Sequence, residues 1–165
     1  MLVEACLSVE SIRTPTEHEN RLRGLLRRHG IDQPPVRLAD TLHRAIEKAH
    51  ALSHRKGIDY PEVDIIRIWQ QVLNKDDMTD VKDLALEYEL ISNPVYAMPG
   101  VEDLLLTCKT RHIPMGIVSN AQFYTVSVLQ HILGATLEKR GFDPRLIFIS
   151  WLEGQANPSP EMLRL

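Results

Sequence analysis

Hydrophobic and polar positions divide the 165-residue chain into two regions of different period. From residue 16 to about residue 92 the apolar positions recur at helical spacing. Thr16 and Glu19 make a capping-box signature, which predicts a first helix running to about His29 with Leu22, Leu25 and Leu26 on one face and Gly30 as its stop. Pro34-Pro35 predicts a loop. Leu38, Leu42, Ala45, Ile46, Ala49 and Leu52 then predict a second helix to Lys56, closed by Gly57. Asp59-Tyr60-Pro61-Glu62 reads as the start of a third, with Asp59 as cap and Pro61 in the first turn, and Val63, Ile66, Trp69 and Leu73 as its apolar stripe. Thr79 or Asp80 caps a fourth helix carrying Leu84, Leu86, Tyr88 and Leu90, which Asn93-Pro94 closes.

The character changes after Pro94. Met98-Pro99-Gly100 introduces a helix with Val101, Leu104, Leu105 and Cys108 inward. Residues 113–118 are an apolar run ending at the polar pair Ser119-Asn120, the pattern of a buried parallel strand. A helical pattern follows at once through Val126, Leu129, Ile132 and Leu133. Strand, polar turn and helix form the unit whose carboxyl end carries ligands in open α/β sheets. Ser119 has two readings there, as the cap of the next helix or as a ligand-facing residue. A polar link through Lys139-Arg140-Gly141 leads to a second buried strand over residues 145–150, and the chain closes in a loop and the first turn of a helix. At the other end, Leu2, Val3, Ala5, Cys6, Leu7 and Val9 fit either a strand or a first helical turn.

Composition narrows the class. Hydrophobic residues at 44% and charged residues at 25% suit a globular protein, and a net charge of -3 offers no nucleic-acid groove. No apolar stretch approaches the roughly 20 residues that span a bilayer, so no membrane partner is expected. Residues 1–6 lack the basic region and apolar core of a signal peptide. Cys6 and Cys108 lie far apart with no knuckle spacing, which predicts neither a metal knuckle nor a redox pair and fits a cytoplasmic location. His50 and His54, four apart, could reach one metal ion, or simply lie on a polar helix face. Trp69 is expected in the core.

The order of features resembles the haloacid dehalogenase (HAD) superfamily of hydrolases. The resemblance is carried by Met98-Pro99-Gly100-Val101, then Gly116-Ile117-Val118-Ser119-Asn120-Ala121-Gln122, Phe142-Asp143-Pro144, Ser150, Gly154 and Pro158-Ser159-Pro160. It implies an α/β fold, a partial Rossmann-like (HAD-like) parallel-sheet core with an inserted all-helical cap. The parts would be a degenerate first core strand over residues 1–12, a helical cap over 13–94 and a partial core over 95–165. It also implies a reaction. An aspartate at the end of the first core strand attacks the substrate, a Ser or Thr after the second strand bonds the transferring group, a lysine steadies the negative charge, and magnesium is held by carboxylates in phosphatase members. Ser119 matches the Ser/Thr position, with Asn120 beside it as a substrate-binding residue.

The sequence departs from that pattern. The nearest match to the opening signature, residues 2–9, puts Glu4 at the nucleophile, Cys6 at the second acidic position, Leu7 at the glycine and Ser8 at the Thr position. A glutamate is one methylene longer, which displaces the attacking oxygen by about an ångström. The alternative is that the first strand is absent. Asn157 stands at the lysine position. Magnesium is implied by the resemblance alone, and no ligands for it are recognisable. Asp143 precedes the second strand, at the wrong end to serve. The expected function is therefore a HAD-like hydrolase of the phosphatase or dehalogenase class, incomplete and inactive as this chain, taking a small phosphorylated or halogenated molecule if active. The alternatives are a non-catalytic HAD-derived remnant and a helical interaction module. An open sheet edge would favour self-association.

Overall fold

The computed structural model describes residues 7–9 and 14–160. Its contacts divide the chain into two compact units. One comprises Val9–Gly57 and Val63–Pro94; the other comprises Met1–Ser8, Ile58–Glu62 and Val95–Leu165.

The first unit is helical: α1 (Pro15–Arg28), α2 (Pro35–Arg55), α3 (Ile65–Leu73) and α4 (Met78–Ser92). α1 packs on α2 and α4, and α3 on α2 and α4. Leu25, Leu26, Leu38, Val81 and Leu84 are fully buried between them. Trp69 is buried and meets the Tyr88 ring edge-on, at 5.1 Å between centroids, as a core tryptophan should.

The helices lie where periodicity places them, but their starts do not. α1 is capped by Thr14, whose hydroxyl accepts from the Glu17 amide at 3.3 Å, with Pro15 in the first turn in place of a Thr16–Glu19 box. Pro35 opens α2 and does not belong to a loop. α4 is capped by Asp77, which accepts from the amides of Thr79 and Asp80. α3 starts at Ile65, capped by Asp64, and not at Asp59. His43 faces Glu47 at 3.3 Å, and no cluster of three or more His, Cys, Asp or Glu that could hold a metal includes His50 and His54 among the described residues.

At the carboxyl end of α1 lies a partly buried ion cluster. Lys75 Nζ donates to the His29 carbonyl at 2.8 Å and to Asp80 at 2.6 Å, and His29 Nδ1 meets the same carboxylate at 2.6 Å. The Lys75 ammonium, and after it His29, hold the Asp80 carboxyl below its ordinary value. A carboxyl lowered by folding stabilises above its unfolded pKa and loses that contribution as pH falls through the folded value. Lys75→Met is expected to cost about 1 kcal/mol at neutral pH. Urea unfolding should also show a flatter loss of stability below about pH 4 in the variant than in the parent.

The second unit is mixed α/β. Leu7–Val9 (β1) pairs with Val95–Ala97 (β2). Val101–Thr110 (α5) leads to Met115–Ser119 (β3), and Thr125–Ile132 (α6) and Leu137–Arg140 (α7) lead to Phe142–Ile149 (β4) and Ser150–Glu153 (α8). The 139–141 link is thus a short helix with Leu137 buried beneath it. β3 and β4 form a parallel two-stranded sheet joined through helices, as parallel pairing requires. Met115, Ile117 and Ser119 alternate inward on β3, with Val101, Leu105, Leu129, Leu133 and Ile149 in the same core. Leu104 stays 37% exposed at the rim.

β4 starts three residues before the predicted strand, and its pairing is irregular. Met115 pairs with Phe142 and Ile117 with Ile147, so β4 advances five residues where β3 advances two. Pro144, which has no N–H to give a ladder, falls in that bulge. The bulge presses the Leu146 backbone onto Gly116. No helix among the described residues is long and apolar enough to cross a membrane.

Candidate functional site at the carboxyl ends of β3 and β4

Ser119 is the last residue of β3 and pairs with Ile149, the last residue of β4. It does not cap the following helix. α6 begins at Thr125 with Tyr124 in the cap position, so a five-residue loop separates Ser119 from the helix it would have to cap. The residue is 8% exposed.

The loops that follow the two strands are tied to each other. Asn120 Nδ2 donates to the Asn157 carbonyl at 3.1 Å, and the Asn157 amide donates back to Asn120 Oδ1 at 2.6 Å. Asn120, expected to touch substrate, thus spends its side chain on the backbone of Asn157. Asn157, expected to replace a lysine, joins this end of the sheet through its main chain. Ser119, Asn120 and Asn157, separated in sequence by 38 positions at most, therefore meet at one end of the sheet. Glu4 and Cys6 lie outside the described residues, as does the helical turn expected after Pro160.

A second set of residues completes this end. Ser150 is fully buried. Its Oγ accepts from the Ala121 amide at 2.9 Å and donates to the Glu62 carboxylate. Gln122 Nε2 donates to the other oxygen of the same carboxylate at 2.9 Å. Glu62 reaches this place because Ile58–Glu62 is not helical and belongs to the α/β unit. The Ala156 amide donates to the Tyr60 carbonyl at 2.8 Å, the Glu62 amide to the Gly154 carbonyl at 3.4 Å, and Pro61 forms an isolated antiparallel bridge with Gln155. A helix start at Asp59 would have carried Glu62 away from this site. Two local signals favoured the observed path. The residue before a proline is pushed toward extended backbone, and Asp64 stands directly before the first periodic apolar residues.

Asp143 lies at the other end of β4, where Arg145 bonds its carboxylate and holds its pKa down to about 2. It takes no part in the site. The magnesium ion implied by the resemblance does not fit the described residues. No group of three or more His, Cys, Asp or Glu among them could hold a metal ion, and both oxygens of Glu62 are already bonded by Ser150 and Gln122. What the arrangement offers is a cluster of hydroxyl, amide and backbone groups around the Glu62 carboxylate at two strand ends. That donor set suits the oxygens of an anionic or polar group. No protein-family model and no curated protein matches this sequence.

Proposed function

We propose that the chain is a HAD-like protein that binds the anionic end of a small phosphorylated or halogenated molecule at the carboxyl ends of β3 and β4 and does not hydrolyse it. The supporting observation is the place of Ser119, mostly buried at the carboxyl end of a parallel strand and beside the loops that Asn120 and Asn157 tie together. In the superfamily it resembles, this serine meets the transferring group. Binding without turnover follows from the other positions. Asn157 offers no positive charge where the resemblance places a lysine, and charge developing on phosphoryl oxygens needs cations or preorganised donors aimed at it. In the nearest match to the opening signature Glu4 stands where an aspartate would attack, and in the alternative the first strand is absent.

Incubation with p-nitrophenyl phosphate and magnesium is expected to give no release above the uncatalysed rate. Turnover that vanishes in Ser119→Ala, in Glu4→Gln and with a chelator would replace this reading with that of a working hydrolase.

A further inference from the structure

We propose that Ile58–Glu62 is a latch on the anion site, with the Glu62 carboxylate occupying donors that an incoming anion would otherwise take. The inference rests on the anion-binding reading above. It begins from an unusual pairing of positions: residues 62 and 150, 88 apart in sequence, share a hydrogen bond at the strand ends. Glu62 is bonded from both loops that frame the site, by Gln122 after β3 and by Ser150 after β4. This is the place where open α/β sheets take their ligands. Glu62 is half-buried, and taking a charge from water costs stability unless donors meet it.

The segment that carries Glu62 runs along residues 154–156. Its backbone meets the α/β unit through the Ala156–Tyr60 and Glu62–Gly154 bonds and the bridge at Pro61. It follows Gly57, whose φ of +81° is a conformation that glycine adopts without strain. A ligand anion that bonds Ser119 and then recruits Ser150 Oγ and Gln122 Nε2 exchanges one set of hydrogen bonds to an anion for another. The exchange frees Glu62 to water, where a carboxylate is well solvated. Ligand entry and release of the strap are thus coupled, and each opposes the other's reversal.

The test uses the full chain and inorganic phosphate, read by amide hydrogen exchange and by phosphate titration. In the parent, saturating phosphate should raise exchange at the Ala156 amide at least tenfold. Glu62→Gln, which keeps the side chain's shape, should raise that exchange without phosphate and bind phosphate at least fivefold tighter. Glu62→Ala should do the same, and unchanged exchange in β3 and β4 shows that each variant is folded. If Glu62→Ala loses its fold, Glu62→Gln decides. Phosphate binding that leaves Ala156 exchange unchanged, or that is no tighter in Glu62→Gln, overturns the latch and leaves the anion site standing. Absence of phosphate binding in the parent and both variants overturns the latch and the anion site together.

Discussion

Replacing Gly116 by alanine is expected to destabilise the α/β unit by about 3 kcal/mol, the upper end of what overpacking costs. A Cβ at this position would lie 2.6 Å from the Leu146 carbonyl oxygen and 2.7 Å from the Leu146 Cβ. The first of these is backbone, so no rotamer change relieves it. The strand would have to move, and it cannot move alone. Ile117, fully buried, and Ser119 follow in the same ladder, paired with Ile147 and Ile149. Pushing β3 away from β4 therefore loosens the core and displaces Ser119 from the site. Gly24 supplies the opposite case. It lies within α1, and a Cβ there meets nothing within 4 Å. Gly24→Ala should stabilise its helix by about 0.5–1 kcal/mol, because alanine loses less backbone freedom than glycine on folding. Chemical denaturation of both variants, with the slope against denaturant compared to exclude a changed unfolded state, checks the pair.

The sequence carries the helical unit and the β3–α6 step legibly because both rest on local periodicity. Leu22, Leu25 and Leu26 mark α1, and Met115, Ile117 and Ser119 mark the inward face of β3. Helix starts were less legible. Several Ser, Thr and Asp residues stand near each one, and only the geometry selects Thr14, Asp64 or Asp77. β2 is three residues long with a mostly exposed face, too short to show a period. β4 is extended by a bulge around Pro144, and a proline in an apolar run ordinarily argues against a strand.

The site divides along the same line. Ser119, Asn120 and Asn157 were legible through their order and spacing. Glu62 and Ser150 were not, because their meeting depends on a tertiary path. Local rules read Asp59-Tyr60-Pro61-Glu62 as a good helix start, and the chain instead lays that segment against residues 154–156. A carboxylate at the site is thus a product of the fold and not of any motif.

The account depends most on Ser119. It is mostly buried at the carboxyl end of β3, the place where open α/β sheets take ligands. The loop at 120–124 could have been shortened to let Ser119 cap α6, yet Tyr124 holds the cap position with no side-chain bond to the helix. The neighbouring side chains are already committed, Asn120 to Asn157 and Gln122 to Glu62, and we assign the entering anion to the Ser119 hydroxyl. A hydrogen bond to a charged group is worth about 1.5–3 kcal/mol, so its loss should be plain in an affinity.

Titration of the parent and of Ser119→Ala with inorganic phosphate, followed through the amide resonances of Ser119, Asn120 and Ala121, tests this directly. Saturable shifts in the parent and an affinity at least about tenfold weaker in Ser119→Ala are predicted. The absence of saturable shifts in the parent, or equal affinity in the two proteins, would contradict the account.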